Sequence, residues 1–196
     1  MIKNVKILVV ILIIVMLFSL FAYIQIKKDS NNRDGITALE GKSIADEVAL
    51  NWSKNGTLIY VTNGGTIHDG LCNAWDYVYI ESPSMPLIAN ESNCIGIRVL
   101  ENKSYVLGPG GIGNHKPINS WIIDSDKAIE LALLNEDIKS FMTHHPSMYS
   151  FFLSNASGTP NWFIEWTYDA GFDNPKWAQI KIDANTGAVL YVDVDD

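Results

Sequence analysis

Shifted by 83 residues, the chain repeats itself. The stretch IGIRVLENKSYVL, Ile95 to Leu107, lies without a gap on AQIKIDANTGAVL, Ala178 to Leu190. Ile97 meets Ile180, Arg98 meets Lys181, Asn102 meets Asn185, and Val106-Leu107 meet Val189-Leu190. The preceding strands agree: Trp75, Tyr77 and Tyr79 of AWDYVYIE stand where Trp162, Ile164 and Trp166 stand in NWFIEWTY, with a connection four residues longer in the first copy. Self-similarity at a fixed offset marks one supersecondary unit used twice. Whatever one copy builds, the other must build too.

The unit is clearest in the second copy. From Asn161 to Tyr168, Trp162, Ile164, Trp166 and Tyr168 share one face while Phe163, Glu165 and Thr167 share the other, the period of a strand. Gly171, Asp173, Asn174 and Pro175 make a turn, and KWAQIKID alternates again with Ala178, Ile180 and Ile182 inward. Asp183-Ala184-Asn185-Thr186-Gly187 bends into a third strand, AVLYV, with Gly187 at positive φ. The side chain of Asp183 or Asn185 can serve turn amides, so the turn reads as structural and not as a ligand site. Helices open both copies. In the first, Ser43 with Asp46 three residues on reads as a capping box ahead of Val48 and Trp52. In the second, Asp124 or Ser125 caps a helix with Ile129, Ala132 and Leu133 as its stripe, weakening near Asn135 and restarting through Ile138, Phe141 and Met142 before Pro146. TLIYVTN, Thr57 to Asn63, and SMYSFFLSN, Ser147 to Asn155, add one strand to each copy.

The expected fold class is α+β: an N-terminal transmembrane helix, then two tandem modules, each a helix packed on an antiparallel sheet of about four strands. The expected divisions are an anchor over 1–28, a tether over 29–35, a module over 36–107, a Gly/Pro linker over 108–119 and a module over 120–196. The strand opening on Trp, the loop and the run xIxIDANTGAVLxV resemble the C-terminal signature of the PepSY domain family, the module of peptidase propeptides and YpeB-type envelope proteins. The resemblance is clearest over Trp121 to Val192, where SWIIDSDKAIELA looks like the helix that opens such a module. The upstream copy is degenerate. What the resemblance implies is a non-catalytic role in restraining or regulating a peptidase or another envelope enzyme; it brings no catalytic residue with it.

Ile7 to Ile26, ILVVILIIVMLFSLFAYIQI, carries no charge, and its length of about 30 Å matches a bilayer core. Its rival reading, a cleaved signal peptide, has a shorter apolar region and an A-x-A-like site that is missing here. The expectation is a single-pass protein of the cell membrane, held in the lipid bilayer by Ile7 to Ile26 with its soluble part outside the cytoplasm. Lys3 and Lys6 face Lys27 and Lys28 across the segment, so the positive-inside rule does not orient it. All 22 acids lie beyond Lys28, against ten of the 14 bases, a charge balance that argues against nucleic acid as a partner. Sequons at Asn51, Asn55, Asn90, Asn102 and Asn155 are candidate glycosylation sites of an exported protein, and support the alternative of a structural or adhesive glycosylated surface protein. Cys72 and Cys94 fall at ends of paired strands that a simple hairpin keeps apart, which leans against a disulfide.

Chemistry-bearing motifs are few. Gly108-Pro109-Gly110-Gly111-Ile112-Gly113 spells a dinucleotide fingerprint, but no helix opens at Asn114-His115-Lys116-Pro117 to hold a pyrophosphate. His68, His115, His144 and His145 lack metal-ligand spacing, Asp193-Val194-Asp195-Asp196 lacks the glycine and distal glutamate of a calcium loop, and no G-x-S-x-G occurs. No catalytic residue, cofactor or metal is expected. The aromatic stripe remains: Trp162, Trp166 and Trp177, with Trp75, Tyr77 and Tyr79, is core if it lies under the helices and a partner contact where it does not. Strict alternation takes Trp177 off the face of Ile180 and Ile182, which makes it the first candidate contact, ahead of Trp162 and Trp166.

Overall fold

The computed structural model describes residues 35–81, 93–101, 103–108, 116–145, 148–168 and 175–195. Their architecture is that of the second of two compact units, Asp34–Asp196. The expected transmembrane helix, Ile7 to Ile26, lies outside the described residues. Among the residues described, no helix is long and apolar enough to cross a membrane, so that helix is no part of the fold set out below.

The chain runs α1 (Ala38–Trp52), β1 (Gly56–Asn63), β2 (Ile67–His68), β3 (Leu71–Cys72), β4 (Ala74–Glu81), β5 (Cys94–Leu100), β6 (Lys103–Gly108), α2 (Ser125–Ala132), α3 (Glu136–His144), β7 (Met148–Ser154), β8 (Asn161–Tyr168), β9 (Lys176–Asp183) and β10 (Val189–Asp195). The expectation of two separate small sheets is overturned. Eight strands form one sheet in the order β10-β9-β8-β7-β1-β4-β5-β6. The copies join where β1 and β7 pair antiparallel, Tyr60 with Ser154, Val61 with Leu153 and Thr62 with Phe152. Each of these strands would otherwise be an open sheet edge, and pairing them removes both at once.

Within the sheet the repeat holds residue by residue. Trp75, Tyr77 and Tyr79 pair with Val99, Ile97 and Ile95, as Trp162, Ile164 and Trp166 pair with Ile182, Ile180 and Ala178. Val61 lies opposite Tyr77 as Phe151 lies opposite Ile164, so Thr62 and Phe152 are equivalent positions. Because these two pair with each other, the pseudo-two-fold relation between the copies passes through them.

All three helices pack on one face of the sheet, α1 on the first copy and α2 and α3 on the second. Thr37 and not Ser43 caps α1: its hydroxyl accepts from Glu40 N at 3.3 Å while Glu40 Oε2 accepts from Thr37 N at 2.7 Å. Ser43 sits inside the helix and donates to the Glu40 carbonyl. The buried stripe of α1 is Ala38, Gly41, Ala45 and Ala49, small residues that bring the helix close to the strands, with Ile44, Val48 and Trp52 flanking. In the second copy the break expected near Asn135 separates two helices. Asn135 Oδ1 accepts from Asp137 N and Ile138 N, each at 3.1 Å, and so starts α3 where α2 stops.

The two helix starts meet between the copies. Asp124 Oδ1 accepts from Ser125 N at 2.7 Å, at the head of its own helix, and from Leu39 N at 3.0 Å, in the first turn of α1. Ser125 Oγ accepts from Ala38 N at 3.1 Å. One carboxylate thus serves the positive ends of two helices. Burial pushes the Asp124 carboxyl above its usual range, against the opposing effect of hydrogen bonds from Thr37, Ser125 and Leu39.

Beneath this junction the aromatics of both copies interlock. Phe151 meets Trp162 at 4.8 Å and Trp75 at 5.9 Å, and Trp121 stands edge-on to Trp162 at 6.3 Å. Trp75 Nε1 donates to the Ile36 carbonyl at 2.8 Å and Trp162 Nε1 to the Ile123 carbonyl at 2.6 Å, equivalent bonds to the residue before each N-cap. Of the Gly/Pro linker, 116–119 is packed against the sheet: Ile118 is buried and its N–H donates to the Leu58 carbonyl at 2.7 Å. A small hairpin, β2–β3, also reaches across. At its tip, Gly70 lies so close to α2 that a Cβ there would fall 2.3 Å from Asp126 Cα. Cys72 and Cys94 are not joined by a disulfide and lie on opposite sides of the sheet, Cys72 in the helix-side core and Cys94 in a small second core with Ile59, Val78 and Ile80.

Candidate functional site

The sheet face turned away from the helices carries one row of side chains from edge to edge. In register across all eight strands stand Tyr105, Arg98, Asp76, Thr62, Phe152, Phe163, Lys181 and Tyr191. The row follows from the alternation that sends Trp75, Tyr77, Trp162 and Ile164 under the helices, because their neighbours must then point the other way. It reads almost the same from both ends: a tyrosine, a cation, then the centre.

The two halves differ in how the cation is used. Arg98 grips Asp76 with two bonds, Nε to Oδ1 and Nη2 to Oδ2, both 2.7 Å, and this carboxylate raises the guanidinium pKa further. Lys181 stands between Phe163 and Tyr191, and no ion pair among the described residues engages it. The centre is aromatic. Phe152 stacks on Phe163 with centroids 4.8 Å apart and on Tyr60 at 5.6 Å, an apolar ladder over three adjacent strands. Beside it Gln179 donates to Glu165 at 2.6 Å, and Tyr191 donates to Asp193 at 2.7 Å, a bond that raises the phenol pKa. Phe152, Phe163 and Lys181 are half-buried, and Tyr191 is exposed.

Of the three tryptophans singled out in the sequence, Trp162 and Trp166 are fully buried under the helices and are corrected to core residues. Trp177 lies on the helix-free face, half-buried, opposite Thr167 and Asp195. Among the candidate glycosylation sites, Asn51 and Asn55 are exposed, Asn90 and Asn102 lie outside the described residues, and Asn155 is corrected to a structural residue. Its side chain is buried, with Nδ2 donating to the Pro117 carbonyl at 2.7 Å, so it cannot accept a glycan in the folded chain. Of the Gly-rich motif only Gly108 is described, as the last residue of β6. His68 and His144 are exposed, His115 lies outside the described residues, and His145 lies between the rings of Phe141 and Tyr168 at 4.8 and 4.9 Å. Among the described residues no three His, Cys, Asp or Glu side chains cluster as a metal site would need.

The 183–187 turn is held by its own atoms. Asp183 Oδ1 accepts from Asn185 N at 2.8 Å and Thr186 N at 2.9 Å, bonds that lower its pKa, and Gly187 takes φ +75°. The row itself escaped the reading of the alternation. Its signal was Phe163 set among Glu165 and Thr167 on the polar side of a strand, and Phe151-Phe152 side by side, which obliges one ring to leave the core.

No protein-family model matches the chain, and the resemblance to PepSY domains finds no support there. No curated protein matches it either. A solved structure, a "putative lipoprotein" from Clostridium difficile 630, is similar at 14% identity and a TM-score of 0.48, over 84% of this chain and 97% of that one. A likeness that loose carries no argument about fold or function.

Proposed function

We propose that the protein is a non-catalytic binding module that works outside the cytoplasm and holds a protein partner against the helix-free face of its second copy. One observation carries the reading: the stacked pair Phe152 and Phe163, continued in register by Lys181, which no ion pair among the described residues engages, and an exposed Tyr191, with none of the three described helices over it. Aromatic anchors beside a cation are what protein-binding surfaces concentrate, whereas a sheet face that only meets water alternates to polar side chains. Glu165, Asp193 and Trp177 border the patch, so it suits a partner segment that is apolar at its centre and basic at its rim. The position outside the cytoplasm is supported by the sequons at Asn51 and Asn55, both exposed, and by the acidic balance of the chain beyond Lys28.

The test is capture. Asp34–Asp196, which holds its own core, is immobilised as wild type and as Phe163→Asp and exposed to solubilised envelope proteins. The wild type should retain a stoichiometric protein that Phe163→Asp loses while its unfolding midpoint is kept. Equal capture by both, or recovery with envelope polymer alone, overturns the reading.

A further inference from the structure

Among the described residues both ends of the sheet are open. Tyr105, Val106 and Leu107 on β6 and Val189, Leu190 and Tyr191 on β10 are each between 45% and 59% exposed, and they make up most of the large hydrophobic side chains that the described residues leave in water. Edge strands of soluble proteins seldom keep so much apolar surface beside unpaired backbone groups. We infer that the two edges are made for each other: β6 of one molecule pairs antiparallel with β10 of a second copy, joining molecules head to tail into one longer sheet.

Three observations carry this, none of them resting on the proposed function. The first is direction. Every neighbouring pair in the sheet is antiparallel, so in an eight-strand order β6 and β10 run in opposite senses. A second copy set beside the first in the same orientation therefore presents an antiparallel strand with its helices on the correct side. The second is charge. β6 begins at Lys103 and β10 carries Asp193 and Asp195, so pairing unlike edges sets a cation against carboxylates, while β10 against β10 brings acidic strands together.

The third is register. When Lys103 faces Asp193 of the second copy, Ser104 faces Val192 and Tyr105 faces Tyr191. Lys103 and Tyr105 project on the helix-free face, opposite Leu100 and Arg98, as Tyr191 and Asp193 do opposite Lys181 and Gln179. The cross-sheet row that ends in a tyrosine on each side then continues from molecule to molecule as Arg98, Tyr105, Tyr191, Lys181. Both edges break register near their leucines, β6 between the partners of Gly96 and Ile97 and β10 between Val189 and Tyr191. Those irregularities bend the strands, so the regular ladder is short and ends where Val106 and Leu107 meet Leu190 and Val189; the contact is small and association needs high protein concentration, or crowding on a surface.

Sedimentation equilibrium of Asp34–Asp196 over a wide concentration range tests it. The mean mass of the wild type should rise past that of a dimer as concentration increases. Lys103→Asp and Asp193→Lys should each stay monomeric with unfolding midpoints unchanged, and the double variant, or an equimolar mixture of the two single variants, should associate again. A wild type that stays monomeric throughout, one that stops at a dimer, or one whose association ignores Lys103→Asp overturns the head-to-tail pairing.

Discussion

The two copies place helix against strand with the same small-residue stripe, yet fill the gap differently. Ala38, Gly41 and Ala45 of α1 stand where Ser125, Ala128 and Ala132 stand in the second copy, each 87 residues on, and all six are buried. Below Gly41 lies Tyr77, whose hydroxyl donates to the Ala38 carbonyl at 2.7 Å; the equivalent strand residue in the second copy is Ile164. A Cβ at Gly41 would fall 2.3 Å from that oxygen, whereas Ala128 carries a Cβ in its equivalent place. A hydroxyl on the strand and a methyl on the helix have been exchanged across one interface. Repeats diverge most easily in such compensating pairs, since either change alone is an overpacking or a void.

This exchange can be broken from one side. Gly41→Ala should destabilise Asp34–Asp196 by about 3 kcal/mol in denaturant unfolding, even though alanine favours the helix by about 1 kcal/mol. Tyr77→Phe removes the blocking oxygen, so in a double-mutant cycle Gly41→Ala should become near neutral on that background; additive losses would show that the copies do not exchange volume here.

A smaller effect is expected at the shared cap. Asp124→Ala should cost about 2 kcal/mol, because donors at both helix starts lose their acceptor, and Asp124→Asn less, since the amide oxygen remains. The pH dependence sharpens the point. Folding raises the Asp124 pKa, so the folded chain holds that proton more tightly than the unfolded one, and the contribution of this residue to stability falls as pH rises from about 4 through the raised value. The unfolding midpoint of the wild type should therefore drop relative to Asp124→Asn across that window, and parallel profiles would contradict it.

Where the hairpin turns diverge, the cost is lower again. Gly187→Val should destabilise by about 1 kcal/mol through its positive φ, with crowding from Leu131 Cδ1 at 3.0 Å from the added Cβ. Ser104, its counterpart by sequence, needs no such freedom: it lies in β6 opposite Val99, so the first turn is closed differently and Ser104→Gly should cost well under 1 kcal/mol. Equal losses at the two sites would mean that the turns are alike. The cysteines should leave stability untouched by redox. Both thiols should alkylate only on unfolding, and intact mass should not change with reductant, because Cys72 and Cys94 lie on opposite faces of the sheet.

Most of each copy was legible in the sequence because period-2 alternation reports which strand face is buried. Trp75 and Ile180 fell on the side where they are found, and of the two cap candidates, Asp124 and Ser125, Asp124 is the cap. What periodicity does not report is which strand ends up beside which. The pairing of β1 with β7 was missed, though LIYV and FFL are consecutive apolar residues and not alternating ones, the mark of central strands. The start of α1 was missed for a similar reason. Ser43 lies inside the apolar pattern and drew attention away from Thr37 and Glu40, whose reciprocal bonds set the helix six residues earlier. The functional face stayed hidden because Phe152, Phe163 and Lys181 belong to three strands and meet only once register is fixed.

Beyond the local Thr37–Glu40 box, two donors at the start of α1 are satisfied from far along the chain: Ala38 N and Leu39 N find their acceptors 87 and 85 residues later. During synthesis from the N-terminus, the first copy is thus complete in sequence before it can be complete in structure. Two of its helix-start donors stay open and β1 keeps one open edge beside β4 until Asp124, Ser125 and β7 have emerged, a wait for long-range contacts. In that interval the open edge of β1 is exposed to other strands, the condition under which repeat proteins misassemble.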